Sequence, residues 1–328
     1  MGRLHARVYS QMPQVKLVAV CDANSDTAAA VASEFDCEAV SDFHALLNGR
    51  AGGAPHVAAV TVAVPTTHHA EVAVACLQAG VACLVEKPLA KDVPTATRIA
   101  EAARRTGVTT QVGHIERFNP AIRAMSRLGI EARFIEVTRI SPLTFRSVDV
   151  GVVLDMMIHD IDIVLRLAQS KVARIDATGV SVIGDVEDIC NARLTFENGC
   201  VANVTASRLA LKTERRLRVF SKDAYVSLDY QKRYGIVARR SGNVDAIRNA
   251  VAKIRSGEIH DLSDLNYADL VQIEELQIDD IEPLRAELDS FIAAVTNRTT
   301  PEVTVEEGLA AVETATRIVE SIAPNHLG

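Results

Sequence analysis

Over the first third of the chain, short apolar runs alternate with segments of helical period. Val15–Cys21, Val57–Val64, Val81–Val85 and Thr109–Val112 are runs of strand length, and a shorter one lies near Glu38–Val40. Between them the period predicts helices over 3–10, Asn24–Phe35, Asp42–Leu47, Thr66–Ala79 and Pro94–Thr106. Gly80 and Gly107 stand where the last two of these helices should stop. The strands are apolar throughout rather than alternating, as expected of strands buried on both faces of a parallel sheet. The pattern predicts an α/β, doubly wound parallel sheet over residues 1–113.

Beyond residue 113 the pattern changes. A helix is expected over Asn119–Leu128, a strand over Ala132–Ile140 and a helix over Val152–Leu167. Strands with tight turns then follow at Ala173–Ile183, Ile189–Phe196, Gly199–Ser207, Arg216–Phe220, Ala224–Asp229 and Gly235–Arg239. A basic helix over Ala246–Ser256, a strand over Leu270–Ile278 and two closing helices, Pro283–Thr296 and Val305–Ser321, complete the chain. This predicts a second domain, residues 114–328, built on an open, mainly antiparallel meander, with the closing helices at its end.

The helix Val152–Leu167, VVLDMMIHDIDIVLRL, carries Asp155, His159 and Asp162 at i, i+4 and i+7, which sets them on one face. A helix this apolar is buried, and buried Asp and His need partners or a task. In parallel sheets ligands bind beyond the carboxyl ends of the strands. Asp22, Pro65-Thr66, Glu86-Lys87 and Gly113-His114 stand at those ends and should meet in space. Asp22 lies 20 residues after Gly2, the spacing of an acid that binds the ribose of a dinucleotide. His69 begins a helix beside that edge, and Arg117 and Asn119 lie in the crossover between the domains. Arg139 and Arg146 flank the loop before the histidine helix and would suit a diphosphate.

Composition narrows the function classes. The 328 residues carry a net charge of -7, which argues against a nucleic-acid partner. No apolar run reaches the roughly 20 residues of a membrane span. Six cysteines without a CxxC spacing read as thiols of a reducing cytoplasm, and no tight ligand motif supports a metal site.

Taken in chain order, these residues resemble the Gfo/Idh/MocA family of oxidoreductases. The matches are Met1-Gly-x-x-His5, Cys21-Asp22, Pro65-Thr66-x-x-His69, Glu86-Lys87-Pro88, Gly113-His114, Arg117-Phe-Asn119-Pro, Asp155-x-x-x-His159-x-x-Asp162 and Leu284-x-x-Glu287-Leu-x-x-Phe291. The resemblance implies a Rossmann domain, NAD as cofactor and oxidation of a sugar hydroxyl. In that scheme His159 takes the hydroxyl proton, Lys87 holds the same oxygen and Asp155 orients His159. Gly2, Asp22, Pro65, Thr66, His69, Glu86 and Lys87 would line the cofactor, and His114, Arg117, Asn119 and Asp162 the substrate. The stretches 113–120 and 149–162 are similar to the branch that oxidises the 3-hydroxyl of UDP-N-acetylglucosamine in lipid A precursor synthesis. Another polyol dehydrogenase of inositol type and a non-catalytic dinucleotide sensor are the alternatives. A homodimer or homotetramer through the open sheet is expected. Gly2 matches the last glycine of the family's dinucleotide turn, so the family's first strand and first two glycines are expected just upstream of Met1.

Overall fold

The computed structural model describes residues 1–47, 57–143, 150–183, 185–240, 244–258 and 271–322. Its N-terminal part alternates helix and strand as the pattern predicts. Helix α1 (Gly2–Ser10) leads to β1 (Ala19–Cys21), α2 (Ser25–Glu34), β2 (Glu38–Val40), α3 (His44–Leu47) and β3 (Ala59–Val62). Then come α4 (His69–Gln78), β4 (Ala82–Glu86), α5 (Val93–Thr106) and β5 (Thr110–Gly113). All pairings here are parallel, but they form two sheets, β1–β2 and β3–β4–β5. The break falls between β1 and β3, the position that the expected order gives to the family's first strand.

Strand β4 shows why its sequence does not alternate. All five of its residues are buried. Ala82 and Leu84 pack with Val8, Tyr9 and Met12 of the α1 region and with Leu284, Leu288 and Phe291. Cys83 and Val85 join the cluster of Ala73, Leu77, Ile99 and Ala103 on the opposite face. Helices therefore cover both sides, and each successive side chain enters a core.

The second part holds α6 (Pro120–Ser126), β6 (Phe134–Ile140), a π-helical turn (Val153–Met157) and α7 (Ile158–Ala168). Strands β7 (Val172–Val180), β8 (Ile189–Phe196), β9 (Val201–Ser207), β10 (Glu214–Phe220), β11 (Ala224–Asp229) and β12 (Tyr234–Arg240) follow. Helix α8 (Val244–Ser256), β13 (Val271–Glu275), α9 (Pro283–Asn297) and α10 (Val305–Ile322) close the chain. The sheet has eight strands in the order β13-β12-β11-β10-β6-β9-β8-β7. It is not the simple meander expected from the turns. Strand β6 lies between β9 and β10 and pairs in parallel with β9. The tight turns give neighbours in sequence, whereas β6 arrives from before the long α7 crossover and takes an inner place that no turn signal marks.

The closing helices do not stay with the second sheet. Ala286 of α9, Val305 and Val312 of α10, and Val303 just before it join the core of the parallel domain. Val303 accepts a backbone hydrogen bond from Val112 at 3.1 Å, so the returning chain lines the edge of β5. The same helix α10 contributes Ala311, Ala315, Ile318 and Ile322 to the core of the second sheet.

Two buried ion pairs fix α7 between these layers. Arg117 holds Asp162 with two hydrogen bonds, of 2.7 and 2.6 Å, and reaches Glu307 of α10 at 2.7 Å. Arg139 on β6 holds Asp160 with bonds of 2.6 and 2.9 Å. Breaking a buried pair leaves an uncompensated charge, which typically costs about 3–5 kcal/mol. Arg117→Met should therefore lower the unfolding free energy by roughly that amount. Denaturant titration followed by circular dichroism checks this, and a loss under about 1 kcal/mol would assign the pair no more than a surface bridge's value.

Candidate active site

The carboxyl ends of β3, β4 and β5 lie side by side, because the three strands are parallel neighbours in register. Pro65 and Thr66, Glu86 and Lys87, and Gly113 and His114 are thereby brought to one edge. The ends of β4 and β5 approach closely. A Cβ on Gly113 would stand 3.1 Å from Glu86 Cα, so glycine lets the two strand ends approach this closely.

Lys87 follows β4 and precedes a cis proline. Its ammonium group donates to the backbone carbonyl of Asp155 at 2.8 Å and lies 3.8 Å from that residue's carboxylate. Burial lowers the Lys87 pKa from its ordinary value, while Asp155 and Glu86 act in the other direction. His159 is partly exposed, but its Nδ1 is buried without a hydrogen-bond partner among the described residues. Burial, then the charges of Lys87 and Arg139, hold its pKa well below the usual histidine range. The ring is consequently neutral near pH 7 and can accept a proton. Lys87, Asp155 and His159 thus meet at one place.

The one-face helix expected over Val152–Leu167 is altered. Asp155 sits in the π turn, whereas His159 and Asp162 lie in α7. A π turn opens the backbone ladder by one residue per turn. Here the carbonyl of Asp155 is the one that accepts from Lys87.

Other expected site residues have protein partners instead. His69 is buried, with Nδ1 3.0 Å from the Pro88 carbonyl and Nε2 3.0 Å from that of Val64. It clamps the turn after β4 to the exit of β3. Arg117 and Asp162 bind each other and are 4% and 1% exposed, which leaves neither surface for a substrate. Asn119 caps α6 through the Ala121 amide at 3.0 Å and donates to Glu116 at 3.1 Å. These three hold the crossover in place, and the geometry does not carry the expected substrate contacts. His114 is different. Both ring nitrogens are buried and unpartnered among the described residues, and burial lowers its pKa. Arg139 is committed to Asp160 and Glu116. Arg146 lies outside the described residues.

Glu86 turns inward rather than toward the mouth. Its Oε1 is 2.8 Å from His5 Nε2, and donor atoms of His5, Glu86 and Glu287 all lie within 4.8 Å of one another. Glu287 is fully buried, and burial followed by the Glu86 charge raises its carboxyl well above the usual range. The sequence carried a signal for this: Glu287 stands among the core residues Leu284, Leu288 and Phe291 on one apolar helix face. Arg215, half-exposed on β10 and 3.5 Å from Glu116, was not foreseen. Nothing in an alternating strand distinguishes a cleft arginine from a solvated one.

The edge also fits a dinucleotide. Helix α1 begins at Gly2, and its first turn has no side-chain cap. The Leu4 amide donates to the Met1 carbonyl at 2.7 Å, which leaves the amides of Gly2 and Arg3 to face an anion, as phosphate sites require. A Cβ at Gly2 would meet only Ala63, at 3.8 Å, so α1 starts directly beside the exit of β3. Asp22 is exposed at the end of β1, and its carboxylate is oriented by the Asn24 amide at 2.9 Å.

Comparison with known proteins agrees with this arrangement. The profile of the oxidoreductase family with an NAD-binding Rossmann fold matches residues 1–114, and that of the GFO/IDH/MocA C-terminal domain matches 138–227. The chain is 37% identical over 249 residues to the UDP-N-acetylglucosamine 3-dehydrogenase of Acidithiobacillus ferrooxidans, covering 75% of this chain and 77% of that one. It is 26% identical to the inositol 2-dehydrogenase of Rhizobium meliloti, over 98% and 94% of the two chains. A solved structure of the Acidithiobacillus enzyme superposes with a TM-score of 0.84 at 29% identity, over 99% of this chain and 95% of that one. Levoglucosan dehydrogenase, solved with NADH and levoglucosan, shares the fold at a TM-score of 0.80 and 20% identity, over 99% and 95% of the chains. The two profiles together span more than half of the sequence, and the chain belongs to the Gfo/Idh/MocA family of NAD-binding oxidoreductases.

Proposed function

We propose that this oxidoreductase oxidises the 3-hydroxyl of the sugar in UDP-N-acetylglucosamine, with NAD as acceptor. The observation that carries the reading is the meeting of Lys87, Asp155 and His159 at the mouth of the parallel strands. The substrate comes from the 37% identity to the Acidithiobacillus enzyme. Oxidation of a polyol of the inositol type is the second reading, favoured by the near full-length match to the Rhizobium enzyme.

Gly2 and the start of α1 would hold the cofactor's phosphates, and Asp22 its ribose, with Pro65 and Thr66 lining the edge. Bound NAD supplies the acceptor for the hydride leaving the alcohol carbon. The protein must remove the hydroxyl proton and stabilise negative charge on the oxygen. His159 is neutral at working pH and serves as the base. Lys87 keeps its head fixed on the Asp155 carbonyl and offers a remaining N–H to the same oxygen. Asp155 positions Lys87 through that carbonyl and its nearby carboxylate. A cytoplasmic location and assembly of two or four copies through the eight-stranded sheet complete the reading. The open face of that sheet carries polar pairs such as Asn191–Thr205 and Arg193–Asn203. Elution mass by light scattering should correspond to two or four chains, and a monomer at micromolar concentration would remove the assembly.

His159→Ala and Lys87→Met should each lower turnover of UDP-N-acetylglucosamine by on the order of 10²–10⁴ while NAD binding persists. The assay is NADH absorbance with a panel of UDP-sugars and free polyols, paired with a cofactor fluorescence titration. Near-normal turnover in the histidine variant would remove it as base, and turnover of inositol alone would favour the second reading.

The pH profile of kcat/KM follows from the two shifts. His159 must be unprotonated, and its lowered pKa sets the acid limb well below pH 6.5. Lys87 must be protonated, and its lowered pKa brings the alkaline limb below 10.5. An acid limb at or above 6.5 would contradict this assignment of the base.

Asp22 should make NAD the better cofactor by about tenfold or more, because its carboxylate repels the 2′-phosphate of NADP. Residues 23–26, Ala-Asn-Ser-Asp, supply no arginine to offset it. Equal kcat/KM with NADP would count against that role.

A further inference from the structure

On the inner face of the second sheet, a row of side chains runs beside the site. Arg215 of β10 pairs across the ladder with Arg139 of β6. On its other side the backbone amide of Tyr230 donates to the Arg215 carbonyl at 2.9 Å. Arg215 has the same parity as the buried Leu217 and Val219, so it lies on the core-facing side of the strand. It stands at the strand's start, however, and its side chain is 46% exposed. The core-facing side opens to solvent at this position.

Arg139 and Arg215 differ in how they are held. Arg139 is 4% exposed and bound by both oxygens of Asp160 and by Glu116 at 3.1 Å. Arg215 reaches the same Glu116 oxygen only at 3.5 Å, the outer limit of a hydrogen bond. A guanidinium has five N–H donors in a planar fork, and this one has a single marginal contact among the described residues. Its charge nevertheless reaches His159, where it acts with Lys87, Arg139 and His114 to lower the imidazole's proton affinity. A cation beside the base, half-open to solvent and weakly bound by its own protein, is arranged to receive an anion from outside.

We propose that Arg215 is the anion anchor of the substrate site and binds a phosphate group of a nucleoside-diphosphate sugar. This rests on the nucleotide-sugar reading above and adds the residue that recognises the charged part. Arginine binds phosphate through two parallel N–H···O bonds, a geometry that lysine cannot reproduce. The anchor fixes the substrate by its non-reacting end, and the sugar carbon is then presented to Lys87 and His159. An uncharged polyol has nothing for it to hold.

The test compares wild type with Arg215→Met and Arg215→Lys, using UDP as the probe in titration calorimetry on the full chain. Wild type should bind UDP, and Arg215→Met should weaken binding by about 10- to 100-fold, the worth of a charge-assisted bond. Arg215→Lys should restore only part of it. In kinetics the Arg215→Met variant should raise KM for UDP-N-acetylglucosamine by the same factor and lower kcat by less. Removing the charge should also move the acid limb of the pH profile upward, because Arg215 lowers the His159 pKa. A purely structural loss would move neither limb nor the ratio. Equal UDP affinity in wild type and Arg215→Met, or no UDP binding by wild type, would overturn the anchor. UDP binding that depends on Arg215 without turnover of any UDP-sugar would leave the anchor standing and overturn the proposed reaction.

Discussion

Helix α7 is held from both sides by charge. Asp160 faces Arg139 on the sheet, and Asp162 faces Arg117 in the crossover from β5. The two acids are two residues apart, so their side chains leave the helix in different directions. Each is clasped by two short hydrogen bonds in a nearly dry setting, where such pairs are directional and costly to break. Between them in the sequence, at Ile161, the helix is fully buried. One residue before Asp160 stands His159. Its position relative to Lys87 is thus set by buried pairs, as a preorganised site requires.

The same charges tune the chemistry. Burial first, and then the charges of Lys87, Arg139, His114 and Arg215, keep the His159 ring neutral. Burial makes the Lys87 charge less comfortable, and Asp155 and Glu86 counter that effect. A histidine base and a lysine electrostatic group next to each other would both be compromised in water. In this enclosure burial lowers both proton affinities: the imidazole is pushed to its unprotonated form, and Asp155 and Glu86 oppose the loss of the Lys87 charge. Separated proton affinities of neighbouring groups are what acid–base chemistry on one oxygen requires.

Much of this was legible in the sequence because it rests on local rules. Unbroken apolar runs identified the parallel strands, and residues at their carboxyl ends identified the edge where Lys87 and His114 meet. The helical spacing of Asp155 and His159 pointed to the pair proposed for catalysis, although the π turn that holds Asp155 has no sequence signature. Residue type gave less. His69, Arg117, Asn119 and Asp162 all have protein partners, local for Asn119, a mixture for His69 and distant in the chain for the Arg117–Asp162 pair. Chain neighbours also misled the strand order, since β6 inserts between β9 and β10. Such pairings depend on where distant segments land, which periodicity does not record. Arg215 belongs to the same class, visible only once β10 lies against β6.

The placement of the last two helices bears on how the protein is made. Strand β4 is sandwiched between a face covered by α4 and α5 and a face covered in part by Leu284, Leu288 and Phe291. The edge of β5 is lined by Val303, and Gly308 brings α10 so near Val112 that a methyl group would stand 2.6 Å from it. These residues leave the ribosome only after the whole second sheet, whereas the strands they cover precede it. An emerging N-terminal domain ordinarily folds as a unit while synthesis continues. Here the parallel strands wait with apolar surface uncovered until the second sheet and the two helices after it have been released. Folding of the parallel strands is therefore coupled to synthesis of the segment beyond the second sheet, and the nascent chain is a natural client for chaperones that shield apolar strands.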